Sequence, residues 1–381
     1  MNKKLLFFTA LAFSALAITS CHSSNNNNKE SSSNPGGDDY RPYEDGDSKN
    51  LKGTGTIFNE VLGYNTKDAS IFEENNERYV VYASNEEAEG AQVFAARKAT
   101  KVDGKWVYQE KHIILRGSEG WDQRIYNPSI LKGSFAYQGT TYKYLMAYNG
   151  NDNKDGTNNH IGLAVSNDVL SNWQRVGNQP ILKNPEVFEA SYGFGSPSLV
   201  SYDQQGKGYL FYAVGEREVS FTAVKTFDFS NLDNMQLENG YMSLPISGLT
   251  DKVEGQAIIM NAGFALGQDG TSLYMVRDRL PQSANKPNQT SEVEIDKANL
   301  SIVNDLSQTW TSIENITGMK TMDMDDDESL GWDQIYSGEF VTDPYGKLLS
   351  NIECEVLYST YDEEATSPSY SATLAMYEVT L

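Results

Sequence analysis

The sequence predicts an all-β protein, a five-bladed β-propeller of four-stranded antiparallel blades. Three observations predict it. Strand-like apolar runs follow one another closely, turn dipeptides separate them, and one strand–turn–strand pattern recurs five times. No segment shows a long, capped apolar stripe at helical spacing. A two-sheet sandwich is the other all-β architecture, but it does not explain five repeats of one pattern.

The apolar runs include Tyr79-Val80-Val81-Tyr82, residues 142–148 and residues 208–212, all rich in aromatic or β-branched side chains. Asp103-Gly104, Gln138-Gly139, Gln205-Gly206, Asp269-Gly270 and Tyr345-Gly346 mark turns. The five copies open with Asp68-Ala69-Ser70-Ile71-Phe72, Asn127-Pro128-Ser129-Ile130-Leu131, Ser196-Pro197-Ser198-Leu199-Val200, Asn261-Ala262-Gly263-Phe264-Ala265-Leu266 and Gly338-Glu339-Phe340-Val341. Each opening is followed by a turn and an aromatic strand. Successive copies lie roughly 60–75 residues apart, enough for a four-stranded blade with its loops. Residues 160–166 read as a third strand, and Trp106, Trp173 and Trp310 fall on fourth strands, where packing is the expected role.

Composition narrows the function. The 381 residues are 39% hydrophobic, which suffices for a large core without disulfide staples. Lys plus Arg is 30 and Asp plus Glu is 52, for a net charge of −22. Such a chain is repelled by phosphate backbones and anionic headgroups, which argues against nucleic acid and against a polybasic membrane contact. Of the two cysteines, Cys21 and Cys354, only Cys354 lies in the part expected to fold. An intradomain disulfide and a thiolate metal cage are thereby excluded.

Residues 1–20 read as an export signal, with Lys3 and Lys4 ahead of a short apolar stretch over 5–18. Ile18-Thr19-Ser20-Cys21 resembles a bacterial lipoprotein box, which makes Cys21 the expected lipidation site; an ordinary signal peptide is the alternative. Residues 21–50, with Asn25 to Asn28 and Pro35-Gly36-Gly37-Asp38-Asp39, cannot fill a core and read as a tether. Residues 51–381 form the propeller. The expectation is an exported monomer, lipid-anchored to the bacterial outer membrane on its periplasmic side or at the cell surface, touching the membrane only through lipid.

In a propeller, residues just before each inner strand meet around one funnel. Here they include Asp68, Asp122, Asn127, Glu189, Ser196, Glu254, Gln256, Asp333 and Glu339. Carboxylates crowded at one funnel suit glycoside hydrolysis, in which one acid protonates the leaving oxygen and another activates water or attacks the sugar. Crowding also splits their pKa values. Any single acid among 52 is more simply a solvated or turn-capping group. Gly120-Trp121-Asp122-Gln123 and Gly331-Trp332-Asp333-Gln334 repeat upstream of Ile-Tyr pairs, so Trp121, Trp332 and Asp333 are candidate sugar contacts alongside Asn127 and Gln256. Blade-to-blade packing explains the repeat equally well. The run Asp323-Met324-Asp325-Asp326-Asp327-Glu328 lacks the spacing of a calcium loop and reads as a solvated loop.

The region from about residue 55 onward resembles the five-bladed β-propeller glycoside hydrolases, family 43 arabinanases and xylosidases and family 32 fructosidases. Asp68-Ala69-Ser70-Ile71 resembles the Asp-Pro-Ser-Ile opening of blade one. Ile161-Gly162-Leu163-Ala164-Val165-Ser166-Asn167-Asp168 with Trp173 resembles an outer-blade signature, and Val253-Glu254-Gly255-Gln256 the segment carrying the acid. The resemblance implies Asp68 as base or nucleophile, Glu254 as general acid and a carbohydrate as the partner; Asp122 or Glu189, each from a loop, is the candidate for a third carboxylate that no motif match supplies. Two departures stand out. Ser196-Pro197-Ser198 replaces an expected aspartate, and Glu254 lacks the following proline. Relatives often hold a histidine near a central metal; here His112 reads as a strand residue and His160 as a weak ligand. No cofactor is required, and a central calcium ion is compatible. Loss of a carboxylate also fits a glycan-binding descendant without catalysis, and a scaffold propeller with no sugar role is the third reading.

Overall fold

The inner strands carry apolar residues on both faces because each blade is sandwiched between two others. In the computed structural model, which describes residues 66–87, 91–152, 157–171, 173–185, 192–215, 220–239, 243–249, 259–279, 292–317, 334–361 and 373–381, the chain forms five antiparallel sheets in sequence order. Blade I holds β1 (Thr66–Glu74), β2 (Glu77–Glu87), β3 (Ala91–Val102) and β4 (Lys105–Tyr108), with β5 (His112–Arg116) also paired to β3. Blade II holds β6 (Arg124–Tyr137), β7 (Thr140–Asn151), β8 (His160–Ser166) and β9 (Gln174–Arg175). Blade III holds β10 (Gly193–Ser201), β11 (Lys207–Gly215), β12 (Ser220–Asp228) and β13 (Gln236–Asn239). Blade IV holds β14 (Met260–Leu266), β15 (Ser272–Arg279), β16 (Glu292–Asn299) and β17 (Thr311–Thr317). Blade V shows three strands among the described residues, β18 (Gln334–Phe340), β19 (Glu353–Tyr361) and β20 (Thr373–Thr380). The inner strands touch in the order β1, β6, β10, β14, β18 and back to β1, so the ring closes.

Five apolar layers fill the five junctions. On β7, Leu145 and Ala147 face blade III while Tyr144, Met146 and Tyr148 face blade I. On β2, Val81 and Ala83 face blade II while Val80 and Tyr82 face blade V. Period-two alternation therefore sorts side chains between two junctions rather than between core and water. Phe211 and Phe264 stack at 3.9 Å between blades III and IV. Trp106 lies on β4, and Trp173 and Trp310 immediately precede β9 and β17. All three are buried, and the indoles of Trp173 and Trp310 donate to Val169 O and Pro245 O. Their packing role follows from that burial.

Serines staple three of the junctions. The Ser70 hydroxyl accepts from Ile130 N at 3.1 Å, Ser129 from Leu199 N at 2.9 Å, and Ser198 from Phe264 N at 3.0 Å. Blade IV has Gly263 at this position and blade V has Glu339.

Residues 341–348 strap the narrow end of the ring. Carbonyls of Thr342, Pro344, Tyr345 and Gly346 accept from Glu73 N, Lys132 N, Ser201 N and Leu266 N, one donor from each of blades I to IV. Asp343 accepts from Tyr345 N and Lys347 N and holds the turn.

Candidate functional site

Each inner strand carries a β-bulge at the same height. Its first residue adopts a left-handed backbone: Asp68 (φ 51°), Asn127 (47°), Ser196 (46°), Asn261 (44°) and Ser337 (53°). This region is costly for side chains with a Cβ, and short polar residues tolerate it best. Five such residues, one per blade, are too regular for accident, and strain of this kind collects at functional sites. They line one axial pit of about 20 Å³, room for a water-sized group, together with Glu339 and Gly263. Blade V's repeat is set by Ser337, one residue earlier than the sequence pattern suggests.

Hydrogen bonds knit the pit. Ser196 Oγ donates to Asn261 Oδ1 at 2.8 Å, and Asn261 Nδ2 donates to Asp278 Oδ2 at 2.6 Å. Ser337 N donates to Asp278 Oδ1 at 2.7 Å. Asn127 Nδ2 reaches Ser337 Oγ at 3.5 Å, and Tyr192 OH lies 3.4 Å from Ser196 Oγ. Asp68 takes its backbone position from Ser359, whose hydroxyl accepts Asp68 N, and its carboxylate lies 3.6 Å from Lys67 Nζ. Lys67 in turn sits over the Tyr126 ring. Burial, with the Asp68 charge adding to it, pushes the Asp278 carboxyl up to about 7. Burial alone pushes Glu339 up to about 8. The pit thus joins Asp68 to two carboxyl groups that hold protons near neutrality.

Among the residues that the sequence places at the funnel, Asp68, Asn127, Ser196 and Glu339 line this pit. Asp122 does not. It is 1% exposed, and it binds Arg175 Nε at 2.7 Å, the Tyr148 hydroxyl at 2.9 Å and the Ser118 hydroxyl. Both of its oxygens are engaged with blade II and the loop before it, away from the residues that line the pit. Trp121 stacks on Tyr148 at 5.8 Å and presses on Gly150 and Gly162, where a Cβ would clash with the indole. That face of the ring is spent on packing. His160 accepts Asn184 N on Nδ1 at 2.8 Å, and burial lowers its pKa. It is a neutral ring held by its neighbours. Glu254, Gln256, Trp332, Asp333, Glu189 and Cys21, with residues 1–50 and the acidic run at 323–328, lie outside the described residues. Among the described residues no group of three or more His, Cys, Asp or Glu is placed to hold a metal ion, so the calcium expectation gains no support.

Sequence reading missed Asn261 and Ser337, which line the pit, and Asp278, which bonds both. The signal for Asp278 was the charged run Arg277-Asp278-Arg279 at the end of a largely apolar strand. A larger groove of about 400 Å³ lies between blades II and III, floored by Val176, Leu232 and Leu237. Its one lining carboxylate, Asp233, accepts Gln138 N, so it lacks the paired acids found at the axis.

No protein-family profile matches the chain, and no curated protein sequence matches it. Solved structures do. One described as a glycoside hydrolase superposes with a TM-score of 0.55 at 12% identity, over 87% of this chain and 93% of that protein. The catalytic domain of a Coprinopsis cinerea GH62 α-L-arabinofuranosidase gives 0.53 at 10% identity, over 86% and 96%. Zg3597, a family 117 glycoside hydrolase from the marine bacterium Zobellia galactanivorans, gives 0.53 at 12%, over 87% and 88%. At these identities the likeness establishes architecture: the chain has the five-bladed propeller fold that these glycoside hydrolases share.

Proposed function

We propose that this chain acts on a glycan at the axial pit, as a glycoside hydrolase with Asp68 as base or nucleophile and Glu254 as acid. The observation that carries the reading is the meeting of Asp68 with the hydroxyls and amides of Ser196, Ser337, Asn127 and Asn261 on one axis. Hydroxyl and amide groups match the alternating donors and acceptors of a sugar, and a carboxylate beside them supplies the charge that glycosidic cleavage needs. The glycoside hydrolases that share the fold support the same choice of substrate class.

The experiment is turnover on a panel of arabino-, xylo- and galacto-oligosaccharides by the wild type, Asp68→Asn and Glu254→Gln. Loss of sugar release in both variants, with folding intact, supports hydrolysis. Wild-type rates in either variant remove its assigned role. A second reading, glycan binding without cleavage, is favoured by the narrow pit and by Ser196 standing where the resemblance expects an aspartate. It predicts oligosaccharide affinity with no released sugar. Export and anchoring through Cys21 are part of the proposal on sequence grounds; Cys21→Ala should release the protein from the membrane fraction.

A further inference from the structure

Ser196 lacks a carboxylate, yet it is joined to one. Its hydroxyl donates to Asn261 Oδ1, and the other end of that amide donates to Asp278. Asp278 lies on the second strand of blade IV, not on an inner strand, and is 5% exposed. Its second oxygen takes Ser337 N from blade V. One carboxyl group therefore fixes polar residues of blades III, IV and V. The consequence is directional. With Asp278 accepting Asn261 Nδ2, the amide must turn Oδ1 toward Ser196, so the Ser196 proton is committed to Asn261 and its oxygen can only accept, from the Tyr192 hydroxyl at 3.4 Å and, through its second lone pair, from a ligand.

We propose that Asp278 is a positioning residue of the axial pit, orienting Asn261, Ser337 and, through Asn261, Ser196, so that Ser196 Oγ accepts a hydrogen bond from a hydroxyl of the bound glycan. This rests on the glycan reading above. The charged groups that act on Asp278 are Asp68 on β1 and Arg277 beside it, and its own charge is felt by Tyr192 before β10. Arg277 spends its guanidinium on Glu294 and Asp296 of β16 and gives one bond to the Asp278 carbonyl at 3.4 Å. Asp68 is thus the charge that a deprotonated Asp278 meets across the pit, and its repulsion disfavours a second negative charge there.

Two measurements on wild type, Asp278→Asn and Ser196→Ala test the idea. The first is calorimetric affinity for arabinotriose, xylotriose and galactotriose at pH 8.5. Asparagine at 278 can donate where aspartate accepted, reversing the amide of Asn261 and the polarity at Ser196. The expected result is binding about tenfold weaker than wild type for both Asp278→Asn and Ser196→Ala at pH 8.5, where an ionised Asp278 can only accept from Asn261 and Ser337. Wild-type affinity in either variant at pH 8.5 would overturn the proposal. The second is ligand-free unfolding of both single variants and the double variant. Residues 196 and 278 do not bond each other directly, so non-additive losses report the path through Asn261. Additive losses would also overturn it. If the wild type binds none of the three sugars, the glycan reading fails by itself, and the unfolding cycle still decides whether Asp278 orients Ser196.

Discussion

Gly263 and Glu339 face each other across the junction of blades IV and V: a Cβ on Gly263 would stand 2.7 Å from Glu339 Oε2 and 2.7 Å from the Gly338 carbonyl oxygen. Gly263 stands where a serine stands in three other blades, and the glutamate carboxyl lies against it. Gly263→Ala should destabilise the protein by about 1–3 kcal/mol through overpacking. Chemical denaturation reads this as a lower midpoint. Adding Glu339→Ala should recover part of the loss, since the carbonyl contact remains.

Glu339 should also give stability a pH dependence. Its folded pKa, about 8, lies above the ordinary 4.5, so the folded state holds the proton more tightly. The resulting stabilisation is fully present below about pH 4.5 and is lost as pH rises toward 8. In Glu339→Gln the fall in melting temperature across that window should be shallower than in the wild type. An unchanged slope would mean that Glu339 titrates normally.

Ser129→Ala removes the acceptor for Leu199 N and leaves a buried amide unpaired. The expected cost is about 1–3 kcal/mol. Ser70→Ala and Ser198→Ala should cost similar amounts, because each breaks the same bond at another junction. Unfolding in denaturant for the three variants provides the comparison.

The strap makes a separate demand. Gly346 has φ 79°, and its Cβ position lies 3.0 Å from Leu199 O. Gly346→Val places a β-branched residue in a left-handed conformation and presses it against blade III. A loss of about 1–3 kcal/mol is expected, with earlier thermal unfolding, while Gly104→Ala, whose Cβ would meet nothing within 4 Å, should lose less.

Asp68→Asn separates chemistry from fold. Asparagine adopts left-handed φ as readily as aspartate, so melting should change little. Turnover of a glycan substrate should fall about 10²- to 10⁴-fold. Retained turnover would show that the reacting carboxylate lies elsewhere.

The residues themselves determined the strands, the turns and the number of blades. Apolar runs such as 142–148 can only be buried on both faces, and their fivefold recurrence leaves few architectures. The first four copies begin at Asp, Asn or Ser, short polar residues that the folded ring holds in a left-handed backbone. The fifth begins at Ser337, one residue before the Gly338 that its local pattern marks. Tertiary structure alone decided which polar groups meet. Asp122 precedes an inner strand as Asp68 opens one, but it lies in a turn where Arg175 and Tyr148 claim it within blade II. Asp278, 210 residues from Asp68 in the chain, reaches Ser337 of blade V only because blades IV and V pack side by side. Local pattern follows from neighbours along the chain, whereas a site on a closed ring follows from which distant strands pack side by side.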